Sequence, residues 1–153
     1  MSIGSRLAAH PRAILICQAL GFCIFVAAFF LSAVRDSGPL TASSSLFKGW
    51  ECANIALTAT FQRDTYESSG FLAAMSGWIN PLVLLYLGLS LAAKFGRLRR
   101  ILAVAILVCM VATWIFFAID HLLPMIGHFL WIVGALLILI AEVTGRKPET
   151  THS

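Results

Sequence analysis

The 153-residue chain is 59% hydrophobic and 12% charged, about half the roughly 25% charge of a soluble domain. So little polar surface excludes a water-soluble globule and points to one membrane domain. The net charge of +4 does not mark a nucleic-acid binder: the cations gather at the ends of apolar stretches, where lipid headgroups and topology account for them.

The first apolar stretch runs from Ala13 to Val34, 22 residues interrupted conspicuously only by Gln18 and Ser32. A hydrocarbon core about 30 Å thick needs roughly 20 helical residues, so this stretch predicts a first transmembrane helix over 13–34. Pro11 suits its first turn. The charge, glycine and proline of Arg35, Asp36, Gly38 and Pro39 should stop it. Secretory signal cores are about 7 to 15 residues, so the length favours a retained anchor over a cleaved leader.

Residues 36–70 form the one sizeable outer loop. Its Ser-rich part, Thr41 to Ser45, reads as mobile. Phe47 to Leu57 reads as a short amphipathic helix with Trp50, Ala53, Ile55 and Leu57 on its apolar side, placed to lie at the outer interface. Trp50 and Cys52 form a candidate interaction site there, with Cys52 either free or cross-linked to a partner.

The second span is predicted over 71–94. Asn80 and Pro81 have the character of an N-cap and first helical position, and Pro81 disfavours helical geometry at Asn80. A kink or break is therefore expected there, with Ser76 and neighbouring helices satisfying the freed backbone groups. Gly88, Ala92 and Gly96, spaced by four, form the clearest small-residue packing stripe, and Ala105, Cys109 and Thr113 a second. The third span is predicted over 98–119 and the fourth over 125–143. The short link from Asp120 to Pro124 should make these last two helices a tight antiparallel hairpin. The tail, 146–153, is polar and expected to be disordered.

Orientation follows from the cations. Arg6, Arg12, Lys94, Arg97, Arg99, Arg100, Arg146 and Lys147 fall on one side, and only Arg35, Lys48 and Arg63 on the other. Cytoplasmic loops are enriched in Lys and Arg, which places both termini in the cytoplasm of an inner membrane.

Few residues suggest chemistry. Cys17 and Cys23 lie on different faces of one helix, and the chain has no C-x-x-C; buried cysteines act as small apolar residues. His121 and His128 flank the last turn and offer a candidate haem-binding pair, although Asp120 is the only nearby carboxylate for a metal. The blander alternative is that Asp120 and His121 cap the turn while His128 bonds within the bundle. Gln18, Thr113, His128 and, near the inner boundary, Glu142 are the polar intramembrane groups. No acid lies mid-span, which argues against a proton-coupled pump. Trp50, Trp78, Trp114 and Trp131 are assigned to an aromatic belt.

Three segments carry a resemblance: Gly49 and Trp50 with Cys52; Trp78 with Asn80 and Pro81; and Gly127 with Leu130 and Trp131. Together they resemble a group of short, uncharacterised bacterial membrane proteins of four helices. The resemblance covers roughly residues 13–143 and implies topology, not activity. The sequence thus predicts an all-α, four-transmembrane-helix bundle with a short extracytoplasmic interfacial helix and no catalytic residues. Its expected partners are the lipid bilayer and either other membrane subunits or a second copy. An accessory or structural subunit, or a small-ligand or lipid-binding protein, is the leading reading. A haem- or quinone-linked redox subunit and a small transporter are the alternatives.

Overall fold

The computed structural model describes residues 11–36, 46–59, 61, 68–92 and 95–144. Five helices and three short strands follow in the order α1 (Pro11–Ala28), β1 (Ser32–Asp36), β2 (Leu46–Lys48), α2 (Gly49–Ala59), α3 (Ser68–Leu91), α4 (Gly96–Ile119), β3 (Leu122–Pro124) and α5 (Ile126–Thr144). The chain is mostly helical but not all-α.

Two helices, α3 over Phe71–Leu91 and α4 over Gly96–Ile119, are long and apolar enough to cross a membrane. Apolar helical runs over Arg12–Ala28 and Ile126–Ile140 are shorter. Four full-length spans are thus corrected to two long and two short apolar helices. The first expected span shows why. Its apolar stretch continues to Val34, but α1 ends at Ala28 and the remaining residues feed a strand. Burial drives both outcomes equally; what differs is where the backbone groups find partners.

In the sheet β1 is central, antiparallel to β2 on one side and β3 on the other. Val34 faces Phe47 across one ladder and Pro124 across the other, and the Ala33 carbonyl accepts a hydrogen bond from Met125 N at 2.8 Å. Three remote segments are thereby tied together at one end of the bundle. His121, with φ of 53°, turns the chain from α4 into β3 through the left-handed region that non-glycine residues seldom adopt.

Helix α2 starts immediately after β2. The carboxylate of Glu51 accepts a bond from Lys48 N at 2.7 Å, half of a capping box. The next amides, Gly49 N and Trp50 N, donate to the carbonyls of Leu31 and Phe29, each at 3.0 Å. Orphan donors at the start of α2 and orphan acceptors past the end of α1 therefore satisfy each other. Cys52, Ala53 and Ala56 turn partly inward, whereas Trp50, Ile55 and Leu57 are exposed. The helix is amphipathic in size: small residues face the protein and large apolar ones face out.

Helix α3 runs unbroken through Pro81, so no break occurs at Asn80, which sits mid-helix rather than at a cap. Packing overrides the local penalty of proline. Ser76 Oγ donates to the Ala73 carbonyl at 2.7 Å, one turn before the Gly77 carbonyl that Pro81 releases.

The extensive helix pairings are α1 with α5 and α3 with α4, whereas α4 and α5 meet over only a few residues. The last two helices are consecutive without forming the expected tight hairpin, because β3 intervenes and pairs with β1. The α1–α5 seam closes on two glycines. A Cβ on Gly21 would lie 2.8 Å from the Gly134 carbonyl oxygen, and one on Gly134 would lie 2.7 Å from Phe25 N. By contrast, Gly88 and Gly96 have open space around them and Ala92 is exposed. Among the described residues the predicted stripe is not a packing surface; it has the right spacing on the wrong face. On α4, Cys109 and Thr113 are buried and Ala105 is half-buried.

The main core joins Phe25, Ile79, Val83, Tyr86, Ile106 and Ile138. Gln18 reaches across it, its Nε2 donating to Ser90 Oγ at 3.1 Å and to the Ile138 carbonyl at 3.3 Å. The expected disordered tail, the Ser-rich segment over 41–45 and much of the remaining outer loop lie outside the described residues.

Candidate functional site

Above the main core, at the end carrying the sheet, the elements do not close completely. A cavity of about 340 Å³ lies among β1, α2, the first half of α3, the end of α4 and the start of α5. Ala33 and Val34 supply its strand wall, Cys52, Ala53 and Ala56 its α2 wall, and Phe116 and Phe117 its α4 wall. Asn80, His128 and Trp131 complete it from α3 and α5. The volume falls at the low end of the roughly 300 to 1,000 Å³ of ligand pockets, which are likewise mostly apolar with a few polar groups.

Sequence and geometry explain the opening. Gly127 brings α5 under the chain leaving α1: a Cβ there would lie 2.8 Å from the Ser32 carbonyl oxygen. Gly77 similarly admits α2, with the Ala56 carbonyl 2.6 Å from where its Cβ would be. Backbones meet closely on both sides, while the alanines between them are too small to fill the centre.

Gln18, Thr113 and His128 are buried among the described residues, as is Tyr86 with its phenolic hydroxyl in the main core. Gln18 is bonded as above, and Thr113 Oγ1 donates to the Cys109 carbonyl at 2.9 Å. His128, only 5% exposed, differs. Its Nε2 is buried without a hydrogen-bond partner. Aromatic rings hold the imidazole: Trp131 stacks at 5.6 Å between centroids, Phe117 lies at 4.7 Å, and Trp114 meets it edge-on at 5.4 Å. Trp131 is itself fixed by its Nε1, which donates to Asn80 Oδ1 at 3.0 Å. Trp131 is therefore a wall of the cavity rather than part of an interfacial belt; Trp50, Trp78 and Trp114 remain exposed.

The sequence-derived candidates separate. His128 lines the cavity, whereas His121 sits exposed at the turn and is not part of the lining. The two histidines do not share one site, and among the described residues no three His, Cys, Asp or Glu side chains converge as metal ligands. Cys52 is half-buried against the cavity, not directed outward for a cross-link. Burial, then the neighbouring Glu51 carboxylate, push its thiol up to about 11. Trp50 is half-exposed on the opposite side of α2. Asn80 was legible only as a helix start, and its role against Trp131 has no local signal.

Gly49 and Cys52, Asn80 and Pro81's neighbourhood, and Gly127 and Trp131 come from the three short segments picked out above. Five of these residues, Gly49, Cys52, Asn80, Gly127 and Trp131, line the one cavity. Compared with known protein families, curated proteins and solved structures, the chain matches none.

Proposed function

We propose that this chain is a four-span protein of a bacterial inner membrane that binds one small apolar molecule, or the end of a lipid chain, in its outer cavity. It acts by binding, as an accessory or ligand-holding subunit, rather than by catalysis. The observation that carries this reading is the cavity itself: apolar walls, aromatic rings among the lining residues and a volume suited to a small ligand.

Membrane insertion is supported by α3 and α4, and by the fit of the shorter pair beside them. At about 1.5 Å per residue, the 18 residues of α1 and 19 of α5 rise roughly 27 to 28 Å, close to the hydrocarbon thickness of about 30 Å. At the outer end the sheet takes over, and its ladders satisfy backbone groups that would otherwise be stranded near lipid. The exposed faces of α1 and α4, including Leu15, Ile16, Val104 and Val111, then meet acyl chains. Trp50, Ile55 and Leu57 rest α2 on the outer leaflet.

The basic turn supports a cytoplasmic position for the opposite end. Arg97, Arg99 and Arg100 occupy the first turns of α4, where cations oppose the helix macrodipole. Helix stability does not explain them; retention on the cytoplasmic side does.

Native mass spectrometry of the full chain, released from membrane into mild detergent, tests the reading. A single bound molecule per chain should persist, and Ala53→Phe, which fills the cavity, should remove it. Equal retention by the folded Ala53→Phe protein would contradict binding at this place.

A further inference from the structure

We propose that one exposed face of α4 seats a single anionic phospholipid of the inner leaflet, its phosphate on Arg97 and Arg100 and its acyl chain in the groove beyond them. This rests on the chain crossing the bilayer and is independent of the outer cavity. Arg97, Arg100, Val104, Val108, Val111 and Ile115 follow one another at steps of three and four, and all are exposed. They therefore form one stripe along the helix. The same face carries an open groove of about 400 Å³, lined by Leu107, Val108, Val111, Ala112 and Ile115, with Met75 contributed by α3. Ala112, small and buried, makes room between its branched neighbours.

Charge and depth agree on the occupant. Neither α3 nor α4 carries an Asp or Glu, so the two guanidiniums have no counter-ion on their own helix or on the helix packed along it. Glu142 stands on α5, which meets α4 over only a few residues. A phosphodiester supplies the missing charge, and arginine takes phosphate oxygens in pairs. Along α4, Val108 and Val111 lie roughly 12 and 17 Å from Arg100, at about 1.5 Å per residue. One leaflet of a hydrocarbon core about 30 Å thick is about 15 Å deep. An acyl chain descending from a headgroup at Arg97 and Arg100 therefore ends at the groove. A soluble anion would use the charge and not the groove. A zwitterionic lipid would use the groove but bring an ammonium to the arginines.

Titration of the purified full chain in neutral detergent with phosphatidylglycerol or phosphatidylcholine of identical acyl chains, read by native mass spectrometry, tests the assignment. One phosphatidylglycerol should bind at least about tenfold more tightly than phosphatidylcholine. Arg97→Gln with Arg100→Gln should weaken it about twentyfold, at about fivefold per basic residue at a membrane surface, and should leave phosphatidylcholine unchanged. Arg97→Lys with Arg100→Lys keeps the charge and should stay within about threefold of the wild type. Phosphatidylglycerol spin-labelled near its chain end should broaden the methyl NMR signals of Val108 and Val111 at one lipid per chain. Equal affinity of the wild-type chain for the two lipids would overturn the proposal without requiring any variant to fold. Unbroadened Val108 and Val111 signals, or displacement of the lipid by millimolar inorganic phosphate, would do the same. So would loss of the lipid on Ala53→Phe, which would place it at the outer cavity. Carbonate extraction reads insertion separately: a chain that stays in the membrane but does not distinguish the two lipids loses this proposal and keeps the bilayer reading.

Discussion

Trp131 and Asn80, 51 residues apart, are joined by a hydrogen bond from the indole Nε1 to the amide oxygen at 3.0 Å. It links α5 to α3, which otherwise meet over few residues, and it fixes the tryptophan that stacks on His128. Asn80→Leu leaves the indole N–H without its acceptor and should cost about 1–3 kcal/mol. Adding Trp131→Phe to that variant should recover part of the loss, with a coupling of at least about 0.5 kcal/mol in a double-mutant cycle of thermal unfolding in detergent. Strict additivity would show that the bond contributes nothing.

The glycine seam makes a contrasting prediction. Gly21→Ala and Gly134→Ala each place a methyl group under 3 Å from backbone atoms of the facing helix. Backbone cannot yield as a side-chain tip does, so each should destabilise the chain by about 1–3 kcal/mol. Gly88→Ala enters open space and should be neutral, or gain up to about 1 kcal/mol in helix propensity. Matching unfolding temperatures for all three variants would refute the assigned helix pairing.

Cys52 should resist alkylation. Its raised pKa means that at any pH below about 11 less thiolate is present than for a free thiol of 9.0. The reactive species is the thiolate; at pH 8 about a hundredfold less of it is present, partly offset by the greater nucleophilicity of the more basic thiolate, so iodoacetamide should react about tenfold more slowly. In a chain retaining only Cys52, the rate should still climb between pH 9 and 11, where an ordinary thiol levels off. Glu51→Gln removes the smaller of the two causes that raise the pKa and should raise the rate modestly. A plateau near pH 9 would place the thiol in water rather than against the cavity.

Hydropathy made the positions of α3 and α4 legible, because an apolar run bounded by charge specifies a long helix almost by itself. It failed between Phe29 and Val34, where the same apolar content ends in a strand. The decision there belongs to β2 and β3, which lie far along the chain, and no local pattern in Ser32–Asp36 announces them. The packing stripe failed for a related reason. Gly88, Ala92 and Gly96 repeat at four, but spacing does not say which face meets a neighbour; Gly21 and Gly134 have no repeat and form the α1–α5 seam. Of the site, His128 and Cys52 stood out as candidates in the sequence, whereas Trp131 read as one more residue of an aromatic belt. Their convergence did not, since it requires α2 folded back over α3 and the sheet drawn across the bundle end.

Bilayer crossing, on which the cavity's placement at the outer leaflet depends, is tested most directly by cysteine accessibility in intact cells. In a cysteine-free background, Phe61→Cys should react with a membrane-impermeant maleimide added outside, Arg97→Cys should react only after permeabilisation, and carbonate should leave the chain in the membrane. Labelling of Arg97→Cys from outside intact cells, or release of the chain by carbonate, would contradict the account.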